Sequence, residues 1–403
     1  MLSGKRIVLG VTGGIAAYKA VEISRRLVDA GAHVSPIMTN AAKKFIGEIT
    51  LSALASEPVQ SSLWDGDDPI PHTTLGQEAD FILVVPATAN LIGTYAAGIS
   101  NDLLTATLIA TRAPVLICPA MHTEMWEHPA VQENLETLRR RGVNIVDPDD
   151  GILAGGDVGK GRLAGVEKIL DNAESVLGRN DLHGLRFLIT AGGTREPIDP
   201  VRFISNRSSG KQGYALAKAA KIRGADVTLI TTMESEAPSG VKILCSETAS
   251  EMQSVVMSES PDADVIIMAA AVADYRPSEI AEQKIKKTEA ISAIDVEPTH
   301  DFLVDLGTEK KLDQTLVGFA AETENLEENA IEKLKRKRLD LIIANNVSLP
   351  GVGFAHDTNE VTIIGEDTKW TLPLSDKRII ADGILDAIVE VRQENSNGNN
   401  KVL

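Results

Sequence analysis

The residues best equipped for chemistry lie between positions 189 and 211. Ile189-Thr190-Ala191-Gly192-Gly193-Thr194-Arg195-Glu196-Pro197 leads on to Ser205-Asn206-Arg207-Ser208-Ser209-Gly210-Lys211. An apolar strand ends in a Gly-Gly turn, a polar insert with two Pro and three Arg follows, and Ser-Ser-Gly opens a helix near Gln212. Backbone N–H groups at a turn and a helix start form an anion site, and the neighbouring Arg and Lys add charge. Such equipment suits a triphosphate handled together with a phosphorylated substrate. It is not a Walker A loop, because Ser205 stands where the first Gly belongs and Gln212 where Ser or Thr belongs. A bare Gly-Gly turn would read as a nucleotide-fold turn beside a surface loop; the full run reads as a binding site.

A second group of loops lies in the first half. Thr12-Gly13-Gly14-Ile15-Ala16 follows the first apolar strand, and Met38-Thr39-Asn40 follows the second. Pro86-Ala87-Thr88-Ala89-Asn90 and Ala97-Gly98-Ile99-Ser100-Asn101-Asp102-Leu103 come after a third. Small and hydroxyl residues suit a phosphate and a flat ring lying against backbone. The first loop does not follow G-x-G-x-x-G, so alone it indicates only a mononucleotide. Pro119-Ala120-Met121-His122-Thr123-Glu124-Met125-Trp126 emerges at the end of the apolar strand Val115-Leu116-Ile117-Cys118. It reads either as a Met- and Trp-anchored packing loop or as a polar site.

These loops need a scaffold, and the two halves repeat one. Ile7–Gly14 precedes a helical stretch and then Ala30-Gly31-Ala32-His33-Val34; Phe187–Gly193 precedes a helix and then Arg223-Gly224-Ala225-Asp226-Val227. Each half continues with a buried strand after Ala-Asp, at Phe81–Val85 and at Val265–Met268. Apolar strands alternating with amphipathic helices predict parallel sheets covered on both faces. The expected fold is α/β, two doubly wound, Rossmann-like domains with ligands at the carboxyl ends of their strands. The domains are set at residues 1–180 and 181–392, the boundary falling near Gly178–His183, with a polar, disordered tail at 393–403.

Composition narrows the classes. With 403 residues, 43% hydrophobic and 24% charged, there is material for two full cores, aliphatic because aromatics are only 3%. A net charge of −17 argues against nucleic-acid or anionic-membrane partners, so any anion site is a local pocket. Cys118 and Cys245 are the only cysteines, which excludes a disulfide framework and fits a reducing, cytoplasmic setting. Lys5-Arg6 before Ile7-Val8-Leu9 superficially resembles a signal peptide, but Gly13-Gly14 and Lys19 interrupt it, and a first buried strand is expected.

The Thr-Gly-Gly-Ile-Ala loop, the Pro-Ala-Thr-Ala loop, the Ala-Ala-Gly-x-x-Asn-Asp-Leu segment and Pro-x-Met-x-x-x-Met-Trp together resemble the flavin-dependent cysteine decarboxylases, phosphopantothenoylcysteine decarboxylases in particular. The resemblance implies bound FMN at Gly13, Gly14, Ile15, Ala16, Thr39, Pro86, Ala87, Thr88, Asn101 and Asp102, and a base at His72, with Met121 and Asp157 on the substrate. The chemistry explains the cofactor. A cysteine carboxylate has no electron sink, whereas oxidation of the thiol to a thioaldehyde creates one, and hydride return completes the cycle. Two positions depart from the family pattern. His122 stands where Asn usually contacts the substrate carboxylate, and Gly155, in the flap Ala154-Gly155-Gly156-Asp157, stands where a Cys usually donates the last proton. His122 then either supplies that proton or merely replaces Asn as a hydrogen-bond donor; Asp157 and water are the other candidate donors.

The second half resembles the phosphopantothenate–cysteine ligases over nearly its whole length. The matching runs are the opening segment, Ala269-Ala270-Ala271-Val272-Ala273-Asp274-Tyr275-Arg276, Lys284-Ile285-Lys286-Lys287, Gly318–Thr323 and Leu339–Asn345. Together the halves resemble the bifunctional enzymes of coenzyme A biosynthesis that use 4′-phosphopantothenate, L-cysteine and CTP. The resemblance implies attack of phosphopantothenate on CTP to give an acyl-cytidylate, then displacement of CMP by the cysteine amine. Lys284 corresponds to the lysine of the first step, although Lys284, Lys286 and Lys287 also read as a solvated basic stretch. Arg202, Asn206 and Ala271 correspond to residues of the second step. Asp274, His300, Asp301, Phe302, Leu303, Phe319, Lys333 and Lys337 would line the CTP pocket, His300 standing where the family often has Pro. Lys333 and Lys337 lie one turn apart on a shared helical face. Mg2+ on the triphosphate and a homo-oligomer with flavin sites between subunits are also implied; the metal ligands are not isolated. An NAD(P) oxidoreductase would need a tight G-x-G-x-x-G with a downstream acid, which neither half offers. A flavin sensor without turnover would leave Lys284 and Asn206 without purpose.

Overall fold

The computed structural model describes residues 2–65, 68–233, 238–286, 293–322, 324–348, 353 and 356–399, with side chains to Glu394. Lys287, Thr323 and the tail residues 400–403 lie outside the described residues. The chain separates into two compact units, Met1–Arg179 and Asn180–Leu403.

The first unit runs β1 (Arg6–Val11), α1 (Tyr18–Asp29), β2 (His33–Met38), α2 (Glu48–Leu54), α3 (Pro71–Glu78), β3 (Phe81–Ala87), α4 (Ala89–Ala96), α5 (Leu103–Ala110), β4 (Val115–Pro119), α6 (Thr123–Glu127), α7 (Pro129–Arg140), β5 (Asn144–Ile145), β6 (Asp149–Ile152), β7 (Val158–Arg162) and α8 (Val166–Leu177). Five parallel strands form a sheet in the order β2-β1-β3-β4-β5. Because successive side chains point to opposite faces, Ile7, Leu9 and Val11 join one apolar layer with Phe81, Leu83 and Val85, while Val8, Ile82 and Val84 join another. A strand buried on both faces has to be apolar throughout, which is why these runs read as continuous. The order reverses between β1 and β3, and the crevice at that switch opens beyond their carboxyl ends. β6 and β7 form a separate antiparallel flap.

The second unit runs β8 (Arg186–Ala191), β9 (Arg195–Pro197), β10 (Phe203–Ser205), α9 (Lys211–Ile222), β11 (Asp226–Thr231), β12 (Lys242–Cys245), α10 (Ala249–Glu259), β13 (Val265–Met268), β14 (Tyr275–Pro277), β15 (Val296–Pro298), α11 (Phe302–Glu309), β16 (Thr315–Glu322), α12 (Leu326–Arg336), β17 (Leu341–Asn346), β18 (Thr358–Ile364), β19 (Lys369–Asp376) and α13 (Lys377–Asn399). The sheet order is β12-β11-β8-β13-β16-β17-β18-β19. Six strands are parallel and doubly wound; β18 and β19 pair antiparallel at the edge. This mixed sheet departs from the all-parallel expectation. Among the described residues, the link from β18 to β19 is a short turn closed by Gly365 N–H donating to the Thr368 carbonyl at 2.8 Å, too short for a crossover.

Arg223 ties the helices of this unit together. Its fully buried guanidinium meets Asp181 at 2.6 Å and Asp386, on α13, at 2.8 Å, and donates to the Asp382 carbonyl. α13 itself continues to Asn399, past the expected tail start at Gln393. Glu390 to Glu394 contains no Gly or Pro, and lengthening an existing helix needs no new nucleus. Among the described residues, no helix is long and apolar enough to cross a membrane.

Candidate functional sites

In the first unit the loops at the strand ends enclose a cavity of about 430 Å³. Gly13, Thr39, Thr88, Asn101 and Asp102 line it, joined by Thr12, Asn40, Ser61, Thr94 and Met125. Local chemistry fixes these walls. The Thr12 hydroxyl donates to the Pro86 carbonyl at 2.7 Å and accepts from Thr88 N–H at 3.1 Å, tying the β1 and β3 loops. Asp102 caps α5 by accepting from Thr105 N–H at 2.8 Å. Gly13 lies so close to Ala41 that an added Cβ would overlap it, standing 2.7 Å from the Ala41 carbonyl carbon. Gly14, Ile15 and Ala16 do not line this cavity, and Pro86 and Ala87 are buried within β3. Ser61 and Thr94 went unread because neither sits in a strand-end loop.

His72 lies on α3, outside that cavity, and its Nδ1 is buried without a hydrogen-bond partner among the described residues. Met121, His122 and Asp157 also lie outside it, where α6 meets the flap. Met121 N–H donates to the Gly161 carbonyl at 3.0 Å. The His122 imidazole is bracketed by carboxylates, Nδ1 against Glu124 and Nε2 3.0 Å from Asp157. Glu124 first, then Asp157, hold this imidazole above its ordinary value, against a smaller opposing effect of burial. A Cβ added at Gly155 would stand 3.5 Å from His122 Nε2 and 3.2 Å from Asp157 Oδ2. The imidazole therefore occupies the place toward which a side chain at 155 would point. Cys118 is buried in β4 with its thiol pushed up by burial, so it is no substitute for a flap thiol.

In the second unit a cavity of about 720 Å³ lies beyond β8, β13 and β16. Asn206, Ala271, Asp274, His300, Asp301, Phe302, Leu303, Phe319, Lys333 and Lys337 all line it, with Ser208 to Gly213. Asn206 Nδ2 donates to the Val272 carbonyl at 3.1 Å, and to that of Ala271 at 3.4 Å, which brings the polar insert to the β13 end. Lys333 pairs with Glu322 at 2.5 Å, Lys337 with Asp301 at 2.9 Å, and His300 with Asp305 at 2.6 Å. Lys377 also lines the cavity and was not singled out from sequence.

Lys284 and Arg202 stand outside this wall. Lys284 is exposed, and the residue after it is anchored. Arg202 donates to the Ile285 carbonyl at 2.6 Å and pairs with buried Asp199 at 2.6 Å, and Ile285 N–H donates to Asp199 at 3.2 Å. Burial pushes the Asp199 carboxyl up, but N–H donors from Val201, Arg202 and Ile285 and the Arg202 guanidinium outweigh it, bringing it to about 2.

Two doubly wound units, one opening on a cavity of small and hydroxyl residues and the other on a larger cavity rimmed by lysines, define a two-domain α/β protein with a separate candidate site in each unit. Residues 1–178 match the flavoprotein family, and residues 182–391 match the DNA/pantothenate metabolism flavoprotein C-terminal domain. The coenzyme A biosynthesis bifunctional protein CoaBC of Mycobacterium tuberculosis (strain ATCC 25618 / H37Rv) is 45% identical over 403 residues, covering 96% of each chain. That of Bacillus subtilis (strain 168) is 43% identical over 402 residues, covering 98% of this chain and 99% of the relative. A crystal structure of the C-terminal domain of a CoaBC protein is 40% identical, with a TM-score of 0.46, covering 53% of this chain and 99% of that one. The chain belongs to the family of bifunctional coenzyme A biosynthesis proteins CoaBC.

Proposed function

We propose that this bifunctional enzyme of coenzyme A biosynthesis, a ligase and a decarboxylase, joins 4′-phosphopantothenate to L-cysteine with CTP in its second unit and decarboxylates the product to 4′-phosphopantetheine in its first. The observation that supports this most is the pair of chemically distinct cavities on one chain, one small and hydroxyl-lined, the other lined by Asn206, Asp274 and several lysines.

In the second unit the phosphopantothenate carboxylate attacks the α-phosphorus of CTP, and pyrophosphate leaves. The cysteine amine then attacks the acyl carbon, forming the amide and releasing CMP. Such transfers depend on positioning and charge neutralisation. Lys284 brings its ammonium to the triphosphate from its anchored loop, and Asn206 and Ala271 shape the acyl site. Mg2+ accompanies CTP, with ligands drawn mainly from the triphosphate.

In the first unit the close approach at Gly13 and the hydroxyl and amide walls suit FMN, held by Gly13, Thr39, Thr88, Asn101 and Asp102. Bound there, FMN supplies reversible acceptance of a hydride from the substrate. His72 takes the thiol proton. His72 does not line the cavity of its own chain, and the family resemblance supports a homo-oligomer with the flavin site between subunits as the working form. The His122 imidazolium pairs with the substrate carboxylate and returns a proton at the end; Asp157 and water are the competing donors. The setting is cytosolic, in keeping with two free cysteines.

Mass spectrometry of products from 4′-phosphopantothenate, cysteine and CTP tests the reading. The expected products are 4′-phosphopantetheine, carbon dioxide, CMP and pyrophosphate; no mass change of phosphopantothenate by the flavin-loaded protein would refute it.

A further inference from the structure

Four lysines line the cavity of the second unit: Lys211, Lys333, Lys337 and Lys377. Three already face acids. Lys211 stands 2.6 Å from Asp357, Lys333 2.5 Å from Glu322 and Lys337 2.9 Å from Asp301. Any anion entering near these three competes with a carboxylate already in place.

Lys377, the first residue of α13, is different. It is 6% exposed, and among the described residues no carboxylate lies within ion-pair distance of its ammonium. Its Nζ donates to the Gly353 carbonyl at 3.1 Å and to the His356 carbonyl. An ammonium has three donors, so one is left for whatever enters the cavity. Burying an ammonium without a counter-charge is costly, and an apolar side chain of similar size would avoid that cost. Burial and nearby Lys211 hold its ammonium less basic than an ordinary lysine, Asp357 opposing them.

The surroundings point to the missing counter-charge. Gln212, in the first turn of α9, donates its amide to the Lys377 carbonyl at 3.3 Å. Lys377 therefore sits beside the start of a twelve-residue helix whose first N–H groups have no partner within the helix. Ser208 to Gly213 line the same cavity. A buried ammonium and a helix N-terminus thus line one cavity, and both favour an anion of high charge density.

We propose that Lys377 is a phosphate-binding residue of the ligase site: its ammonium and the first turn of α9 together receive a phosphate group, borne either by CTP or by 4′-phosphopantothenate. This assignment rests on the ligase reading and adds to it the residue that supplies the cavity with a buried positive charge held in no ion pair among the described residues.

Calorimetric titration of the full-length wild type, K377M and K377Q with CTP, and separately with 4′-phosphopantothenate, tests it. Gln removes the charge but keeps a polar N–H group, one atom nearer the backbone than the ammonium, so it is the milder of the two changes, and thermal unfolding of both variants shows whether the fold is kept. Both variants are expected to bind one ligand roughly 10- to 150-fold more weakly, the range for losing a charge-assisted hydrogen bond. The other ligand binds as before, and the affected ligand is the one whose phosphate sits at Lys377. Unchanged affinity for both ligands in a folded variant overturns the assignment. Equal losses for both ligands mark a collapsed cavity and overturn it too. Absence of CTP binding by the wild type overturns the ligase reading together with the assignment.

Discussion

Gly13→Ala should empty the first cavity of flavin, and Gly14→Ala, one residue on, should not. An alanine Cβ at 13 would overlap the Ala41 side chain and stand 2.7 Å from its carbonyl carbon and 3.0 Å from its Cα. These are backbone atoms, and the next residue, Ala42, is fully buried behind them. The closest atom is Ala41 Cβ, nearer still, so restoring ordinary carbon contact near 3.5 Å requires the Thr39–Ala41 wall to retreat by roughly 1.2 Å. Overpacking of this kind costs about 1–3 kcal/mol. The flavin-free protein relaxes by opening the wall, so the cost falls on the closed, flavin-holding form, as a roughly 5- to 150-fold loss of affinity. At Gly14 the nearest atom to an added Cβ is Thr88 Cγ2 at 3.8 Å, ordinary contact, so affinity should change by no more than about twofold. Fluorescence titration of apoprotein with FMN, beside thermal unfolding of the apo forms, reads both. Wild-type affinity in Gly13→Ala, or equal losses at the two positions, would refute the reasoning.

Lys284→Gln should cut pyrophosphate release by roughly 100- to 1,000-fold while leaving carbon dioxide release from supplied phosphopantothenoylcysteine intact; loss of both in a folded variant contradicts the two-site scheme. Asp199→Asn should slow pyrophosphate release while CTP affinity is kept, because it frees the Lys284 loop without altering the cavity, and parallel losses in both would sink the idea. Asn206→Asp turns two donors toward the Ala271 and Val272 carbonyls into acceptors, so the acyl-cytidylate should accumulate; its absence from a quenched reaction that has also lost pyrophosphate release moves Asn206 to the first step. His122→Asn should oxidise and decarboxylate but stall with reduced flavin, and adding Gly155→Cys should restore turnover. Normal phosphopantetheine output from the single variant removes His122 from proton transfer. The raised His122 value also sets a sign: its hold on the flap through Asp157 is complete below the ordinary 6.5 and is lost as pH rises through the folded value, so limited proteolysis of residues 150–160 should accelerate toward alkaline pH.

The legible parts of the molecule are those written in contiguous residues. Parallel strands buried on both faces leave unbroken apolar runs such as Phe81–Val85, and the loops that follow them carry many of the cavity-lining groups. β18 escaped notice because its buried Val361 and Ile363 alternate with more exposed residues, and half-buried alternation is a weaker signal than a continuous run. Lys377 was not legible at all. It meets Gln212 across 165 residues, and a lysine opening an amphipathic helix looks like an exposed end until the fold buries it. Arg202 was singled out from its place in the polar insert, but its geometric partners, Asp199 and Ile285, were not legible, since the contact to Ile285 spans 83 residues.

That triad of Asp199, Arg202 and Ile285 limits how far Lys284 can travel. Ile285 is fixed by its N–H and its carbonyl together, and the next Cα is about 3.8 Å away. A lysine side chain adds roughly 6 Å, so the ammonium explores a sphere of about 10 Å radius. One group in that volume amounts to an effective concentration of about 0.4 M. On the proposed ligase reading Lys284 is thus a tethered reagent: absent from the cavity wall, yet concentrated enough beside its anchor to arrive without being built in.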